Sequence, residues 1–403
     1  MNNDENIDYP RFLIIIPKGI GDAVIIGLSM IDQIIKNDPE VSGKIDIVCT
    51  HVQADLFKHD PRIQKIISVS SELFATPDVV TWHKGILLTP EAKELLGLLI
   101  SRNYETVFPG SSTPIFYWQI GSHIMGMNPL KMLRDFFALR RGVEIPLSKM
   151  TRQIVNAYFG NILPEPAVGE DIPLYLNAQS IQKAMAEVER LKELSNISES
   201  AFQLLVVASD TQSSVTRPPT HLLATGIVAI LTRKPHLVVY ILPSYTDSNA
   251  ANNLYQALLP RFERRVFIMP HEPRPSLQEV AALIDQADVF VTGDTGVMHL
   301  AVTAKKLRED SRFLPKNTVK IIALFGGTNP CLFGYSKQTL ILGKGRKEQF
   351  TLIPGIFKEA YYRKKHDFFD HITPQQLTEA IMSQLEIPPM DQLHEVACRE
   401  QKI

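Results

Sequence analysis

Short apolar runs rich in β-branched residues alternate with helical periodicity along most of this chain, and this alternation constrains its fold more than any other feature. The first run spans residues 11–16, and further runs lie at 44–49, 65–69 and 104–108. Strands that are apolar on both sides are typical of parallel sheets covered by helices. The alternation therefore predicts βαβ units and an α/β fold.

The second half of the chain repeats this pattern, and the chain length points to two domains. Six more strands are predicted, at residues 203–208, 236–242, 265–269, 288–292, 319–325 and 339–342. At 403 residues the chain exceeds the usual size of a single core. We expect two Rossmann-like domains that face each other across a cleft, the first over residues 1–176 and the second over 177–358.

A final segment, residues 359–403, is expected to carry one helix that packs back toward the first domain. Thr373, Pro374 and Gln376 combine an N-cap, a proline at the first helical position and a capping-box glutamine. By contrast, residues 110–128 show no clear periodicity, which predicts an irregular loop.

Charge and cysteine content exclude several function classes. The formal net charge is −1, so no global basic field attracts nucleic acid. Cys49, Cys331 and Cys398 have no paired spacing and predict neither a disulfide framework nor a zinc site, and we expect no metal. The acidic N-terminus is unlike a secretory signal, and no apolar run reaches about 18 residues. We expect a cytoplasmic protein without a transmembrane segment, and peripheral contact with the inner face of the membrane stays open.

The first turn that carries chemistry reads Pro-Lys-Gly-Ile-Gly-Asp, at residues 17–22. Gly19 and Gly21 allow a close backbone approach to a ligand at a helix N-terminus, where N–H groups are unpaired. A dinucleotide-binding fingerprint needs a third glycine near Val24 and an acidic residue after the second strand, and this chain has neither. Asp22 fits two roles, an N-cap or a general base held ionised by the helix dipole.

A second turn connects a predicted strand to a helix in the second half. Asp294, Thr295 and Gly296 open that helix, and His299 lies about one turn inside it. Backbone amides, the threonine hydroxyl and the imidazole would converge there on an anion such as a diphosphate. The alternative is a capped helix with a buried histidine.

A third turn follows the buried strand within residues 321–330. It contains Gly326 and Thr328. Its backbone either lies beside a nucleotide or forms an ordinary strand-to-loop exit.

Together these three blocks resemble glycosyltransferase family 9, the ADP-heptose:lipopolysaccharide heptosyltransferases. The blocks are the N-terminal strand with Gly-Ile-Gly-Asp, the run Ala-Asp-Val-Phe-Val-Thr-Gly-Asp-Thr-Gly-Val-Met-His-Leu-Ala, and Ala-Leu-Phe-Gly-Gly-Thr-Asn-Pro. The resemblance implies a glycosyltransferase-B fold and an inverting, metal-independent transfer. The sugar would be a heptose or a related sugar, moved from an ADP-sugar or similar nucleotide sugar to a glycan hydroxyl. Lipopolysaccharide core is the family's usual acceptor, and the donor is a substrate, so no cofactor is expected.

Residue roles follow from the same match. By position, Asp22 becomes the base that deprotonates the acceptor hydroxyl. The residues expected at the donor are Gly19, Gly21, Asp294, Thr295, Gly296, His299, Gly326 and Thr328.

The chain also departs from the family pattern. After the first strand of the second domain the family has a basic residue near a tryptophan; here Arg217 supplies the cation and the tryptophan is absent. Asp247 is the nearest match to the acidic residue that binds the donor's ribose. Ordinary loop roles stay open for both residues. An extra polar segment, residues 305–316, is expected to lengthen a loop.

Two clusters fall outside the motifs. The aromatic residues 116–118 suit either a sugar face or the core. The basic residues Lys131, Arg134, Arg140 and Arg141 suit either an acidic acceptor or a solvated helix face. A protein or secondary-metabolite acceptor, a nucleotide-sugar epimerase-like enzyme and a non-catalytic nucleotide-sugar-binding protein are the alternative functions.

Overall fold

A computed structural model of the chain shows two compact α/β units, whose main segments meet between Asn177 and Ala178. The structure describes residues 10–16, 19–71, 90–109, 121–124, 146–160, 172–211, 215–243, 249–308, 313–335, 338–343 and 368–386.

The first unit is built on a parallel sheet with the strand order β3-β2-β1-β4-β5. Its central strand pairs on both sides, since Phe12 lies opposite both Ile45 and Thr106. The strands of this part of the chain are β1 Phe12–Ile15, β2 Ile45–Thr50, β3 Ile63–Val69, β4 Tyr104–Pro109, β5 Gly121–Ile124 and β6 Pro173–Leu176. Its α-helices are α1 Ile20–Asp22, α2 Ser29–Asn37, α3 His51–Phe57, α4 Pro90–Ser101 and α5 Leu147–Tyr158, with a 3₁₀ turn at Pro39–Val41.

A six-residue π-helix, Ala23–Leu28, joins α1 to α2 without a break. All six of its residues are buried. Gly27 lies in this segment, where an added Cβ would stand 2.7 Å from Cδ1 of Ile16 and 2.8 Å from Cζ of Phe57. The glycine therefore lets the π-helix lie close against the end of β1. π-Helical turns concentrate at functional sites, and this one directly follows the turn that carries Asp22.

The second unit contains a six-stranded parallel sheet in the order β13-β12-β10-β7-β8-β9. Its sheet strands are β7 Gln203–Ala208, β8 Leu237–Ile241, β9 Val266–Ile268, β10 Val289–Gly293, β12 Lys320–Leu324 and β13 Thr339–Leu342, and a short strand β11 spans Ala304–Leu307. Its helices are α6 Ala178–Ser195, α7 Thr220–Arg233, α8 Ala250–Phe262, α9 Leu277–Gln286, α10 Gly296–Ala301, α11 Pro330–Phe333 and α12 Pro374–Glu386. Because the inner strands are fully buried, their apolar runs match the predicted parallel sheet.

The α/β class and all ten predicted strands are confirmed, with ends that move by at most two residues. The prediction for residues 110–128 was wrong in part, because Gly121–Ile124 pairs with β4 as a fifth strand. Its sequence Gly-Ser-His-Ile is too polar to stand out as a strand.

The last helix, α12, begins as the sequence predicts. Gln376 Oε1 accepts the backbone N–H of Thr373 at 2.8 Å, and Thr373 Oγ1 accepts that of Gln376 at 3.2 Å. The helix packs on α7, where Thr378 donates to the carbonyl of Gly226, and Leu377 lies in the core of the second unit. The described residues of this helix therefore belong to the core of the second unit, and the packing of residues 359–403 toward the first domain stays a prediction.

The polar segment 305–316, which was expected to lengthen a loop, is a strand at its start. It starts within β11, and Lys305 is only 1% exposed, with Nζ donating to the carbonyl of Ala301 at 2.8 Å. Burial lowers the pKa of Lys305 to about 8, while the nearby charge of Asp285 acts in the opposite direction. Asp285 also accepts the backbone N–H groups of Lys316 and Asn317 at 2.6 and 2.8 Å. These bonds tie the segment to α9.

We expect Leu377→Ala to lower the free energy of unfolding of the second unit by about 2–5 kcal/mol, because it opens a cavity in a packed core. Leu377 is fully buried. Urea unfolding followed by limited proteolysis measures the effect, and Glu379→Ala, on the exposed face of α12, serves as the control. A loss no larger than the control's would mean that α12 does not belong to this core.

Candidate active site

Two of the predicted turns, and the loop that carries Arg217, follow neighbouring strands of the second sheet. β10 pairs in parallel with β7 on one side and β12 on the other. The carboxyl ends of parallel strands meet at one edge of a sheet, and ligands of open α/β sheets bind outside that edge. The loops after β7, β10 and β12 therefore form one candidate site, which we call the carboxyl-edge site.

Close backbone contacts join these three loops. An added Cβ on Gly293, at the end of β10, would stand 2.3 Å from the carbonyl oxygen of Thr216 and 2.9 Å from Cδ of Pro218. The N–H of Gly327 donates to the carbonyl of Val215 at 3.0 Å. The loop after β7 is thus held against both the loop after β10 and the loop after β12.

The turn after β10 caps the helix α10. Thr295 is the N-cap, and its hydroxyl oxygen accepts the backbone N–H of Met298 at 3.4 Å. The hydroxyls of Thr292 and Thr295 lie 3.1 Å apart. Gly296 is the first residue of the helix. The predicted cap is therefore present, and it fixes the direction of the helix dipole at this turn.

His299 is buried and lies between two polar groups. Its Nδ1 lies 2.8 Å from the hydroxyl of Tyr335, and its Nε2 lies 3.6 Å from Oδ1 of Asp294. The imidazole is 4% exposed. Asp294 thus contacts the histidine as well as shaping the turn.

Arg217 lies in the loop after β7 and is held in place from within that loop. Its Nη2 donates to the carbonyl of Thr211 at 2.5 Å, and its Nε lies 3.4 Å from Oδ1 of Asp210. The side chain keeps 31% of its surface exposed. A guanidinium with exposed N–H groups suits an anion, and Asp210 offsets part of its charge.

Two buried hydroxyls lie at the carboxyl-edge site. Thr328 was predicted from the sequence, whereas Ser209 was missed. Ser209, directly after β7, is 1% exposed, and its Oγ has no hydrogen-bond partner within the described chain. The Oγ1 of Thr328, in the loop after β12, is also buried without a partner there. Buried polar atoms are rarely left unpaired without a reason. In the sequence, Ser209 could have been found from its position directly after a predicted central parallel strand, where ligands of such sheets bind.

Gly326 has a packing reason to be a glycine. An added Cβ would stand 2.4–2.7 Å from the ring of Phe369, which belongs to the core of the second unit. Its lack of a side chain is thus explained by this contact alone.

In the first unit, Asp22 closes its own turn. Its Oδ2 accepts the backbone N–H of Gly19 at 3.1 Å, and the carbonyl of Gly19 accepts Nε2 of Gln53 at 2.6 Å. Gln53 is fully buried and belongs to the capping box of α3. Gly21 lies inside α1. Gly19, not Asp22, is therefore the N-cap of α1, and Asp22 is the third residue of the helix, with its carboxylate bonded back to the N-cap N–H. Gln53, in the helix that follows β2, fixes the position of Gly19.

Other predicted residues give less information. Asp247, the aromatic residues 116–118, and Lys131, Arg134, Arg140 and Arg141 lie outside the described residues. Cys49 is fully buried, and burial raises the pKa of its thiol to about 12, which does not suit a nucleophile. Among the residues that the structure describes, no group of three or more His, Cys, Asp or Glu side chains is placed to hold a metal ion.

Comparison with known families identifies the segment that carries two of the three loops of the carboxyl-edge site. The sequence model of glycosyltransferase family 9 (heptosyltransferase) matches residues 246–351, which include the turn after β10 and the turn after β12. The predicted resemblance to family 9 is confirmed. This chain is a glycosyltransferase.

Solved structures extend the likeness to the whole fold. ADP-heptose lipopolysaccharide heptosyltransferase II of E. coli is 15% identical, with a TM-score of 0.61, over 93% of this chain and 98% of that one. E. coli heptosyltransferase WaaC with ADP is 17% identical, with a TM-score of 0.58, over 93% and 99%. A family 9 glycosyl transferase from Veillonella parvula is 14% identical, with a TM-score of 0.64, over 94% and 98%. No curated protein sequence matches the chain.

These comparisons confirm the α/β fold of the heptosyltransferases for this enzyme. None of the helices that the structure describes has both the length and the apolar character needed to cross a membrane.

We expect Gly293→Ala to destabilise the second unit of this glycosyltransferase by about 1–3 kcal/mol, because the new methyl group would overlap a backbone oxygen that cannot move alone. Thermal unfolding measures the loss, and proteolysis near residue 216 reports whether the loop after β7 separates from β10. Gly97→Ala, where nothing lies within 4 Å of the added Cβ, is the matched control. Equal stability of the two variants would contradict the close contact of these loops.

Proposed function

We propose that this enzyme transfers a heptose or a related sugar from an ADP-sugar, or a similar nucleotide sugar, to a glycan hydroxyl, with inversion and without a metal ion. The observation that carries the proposal is the junction of three loops at the carboxyl edge of the second sheet. It joins the family 9 segment to the loop after β7 through Gly293 and Gly327. The donor's diphosphate is proposed to bind at this edge.

The polar groups of the carboxyl-edge site support a diphosphate ligand. The hydroxyls of Ser209 and Thr328 are buried without a partner in the described chain, so a bound ligand would satisfy them. The cap at Thr295 and the first amides of α10 carry the positive end of a helix dipole. Arg217 adds an exposed cation. These donors stabilise the charge that develops on the leaving diphosphate, the task that other enzymes give to a divalent ion.

In the proposed reaction the base comes from the first unit. The Asp22 carboxylate takes the proton of the acceptor hydroxyl, whose oxygen attacks the anomeric carbon. The bond between that carbon and the β-phosphate oxygen breaks, and the nucleoside diphosphate leaves from the opposite face. Gly19 and Gln53 hold Asp22 in one orientation, which supports its use as a positioned base. Lipopolysaccharide core is proposed as the acceptor, and a cytoplasmic location stays a prediction from the sequence.

We expect Asp22→Asn to lower kcat by about a hundred- to ten-thousand-fold, the usual contribution of a general base. The asparagine still offers an oxygen to the N–H of Gly19, so the cap survives while the basic carboxylate is lost. ADP release from ADP-heptose, with and without a lipopolysaccharide core acceptor, measures the transfer, and calorimetry with ADP checks that nucleotide affinity stays within a few-fold. Full activity of the variant would leave Asp22 with the capping role alone. Sugar rearrangement by the wild-type enzyme without an acceptor would favour an epimerase instead.

A second substitution tests the donor side. Ser209→Ala is expected to weaken ADP binding by about fivefold, because one hydrogen bond to the phosphates is lost. Ser195→Ala is the matched control: this serine of the same unit is also buried, and its hydroxyl already donates to the carbonyl of Lys192 at 3.1 Å. Unchanged ADP affinity in the Ser209 variant would exclude Ser209 from the donor site.

A further inference from the structure

Tyr335 lies after the helix α11 and contacts the histidine of the carboxyl-edge site. It is 3% exposed, and its hydroxyl lies 2.8 Å from Nδ1 of His299. The two rings are packed edge to face, with centroids 5.5 Å apart and an interplanar angle of 70°. A buried tyrosine usually has a partner for its O–H group, and here the imidazole of His299 is one such partner.

The direction of this hydrogen bond follows from the group on the other side of the ring. The Oδ1 of Asp294 lies 3.6 Å from Nε2 of His299, and a carboxylate can only accept. The tautomer with the proton on Nε2 is therefore favoured, because in the other tautomer the lone pair of Nε2 would face the negative charge of Asp294. In a neutral imidazole the remaining nitrogen, Nδ1, is then an acceptor, so the hydroxyl of Tyr335 donates to it.

We propose that Tyr335 is a positioning residue that fixes the tautomer and ring orientation of His299, so that an Nε2–H group is presented at the turn after β10. This inference rests on the proposed function for the role of His299 at the donor diphosphate. The histidine then presents a fixed N–H donor beside Asp294. Groups that orient a histidine through its second nitrogen have the same effect at metal sites.

The backbone around Tyr335 is suited to such a role because it is anchored to the sheet. The carbonyl of Tyr335 accepts hydrogen bonds from the N–H of Thr339 at 2.8 Å and from the hydroxyl of Thr339 at 2.9 Å. It also accepts the N–H of Gln338 at 2.9 Å. Thr339 belongs to β13 and lies opposite Ile321 of β12. The phenol thus reaches His299 from a backbone position that is bonded to the first residue of β13, the strand next to β12.

The test compares Tyr335→Phe with Tyr240→Phe. Both substitutions remove only a hydroxyl, and Tyr240 is a fully buried tyrosine of the same unit whose hydroxyl donates to Glu187 instead. Nitrogen NMR of the full-length protein with ¹⁵N-labelled histidine reports which ring nitrogen of His299 carries the proton, and the loss of signal in His299→Gln assigns it. Calorimetry with ADP then measures the affinity of each variant.

We expect the wild-type protein and Tyr240→Phe to carry the proton of His299 on Nε2. Tyr335→Phe is expected to lose this preference and to bind ADP about fivefold more weakly, the effect of one hydrogen bond. An unchanged tautomer in Tyr335→Phe overturns the proposal, as does the same tautomer change in Tyr240→Phe. A changed tautomer with unchanged ADP affinity also overturns it. Failure of the wild-type protein to bind ADP or ADP-heptose would instead refute the proposed function, while the tautomer result would still report on the contact itself.

Discussion

The structure of the carboxyl-edge site depends on the position of β10 between β7 and β12. Three parallel neighbours end at the same edge, so three loops that are distant in sequence leave the sheet side by side. They come together closely only because Gly293 has no side chain, which allows the backbone at Thr216 to lie against it. A single close backbone contact therefore determines whether the turn after β10, where we propose that the donor binds, and the loop after β7 form one surface or two.

The charges at this edge constrain how it can hold a diphosphate. Arg217 is paired with Asp210, and His299 lies beside Asp294, so both of these side chains have a carboxylate next to them. Coulomb attraction alone is therefore weak for an anion at this edge. For the diphosphate that we propose, neutral donors would contribute most of the binding, and fixed hydroxyls and amides stabilise developing charge well because they need no reorganisation. The buried hydroxyls of Ser209 and Thr328 and the proposed tautomer of His299 would supply such donors.

The sequence predicted the sheet more completely than the site. Gln203–Ala208 and Thr339–Leu342 were predicted to the residue, because polar or turn residues bound each apolar run. Lys305 was predicted only as part of a polar segment that lengthens a loop. The burial of its amino group, which bonds to a helix carbonyl, depends on tertiary packing and cannot be read from the sequence. The contact between His299 and Tyr335 spans 36 residues, and neither the spacing nor the residue types indicate it. Motifs locate turns that follow strands, whereas partners from other loops become visible only in three dimensions.

Asp22 shows how a structural and a chemical role fit on one carboxylate. An aspartate in the first turn of a helix accepts backbone N–H groups best when it is ionised, and the helix dipole favours the same state. A general base must also be ionised before it can accept a proton, so the cap and the proposed chemistry require the same protonation state. The hydrogen bond from Gly19 to Oδ2 restricts the orientation of the carboxylate. Gln53 lies in the helix α3, directly after β2, and its side chain donates to the carbonyl of Gly19. The orientation of Asp22 is therefore linked to the sheet through Gly19 and Gln53.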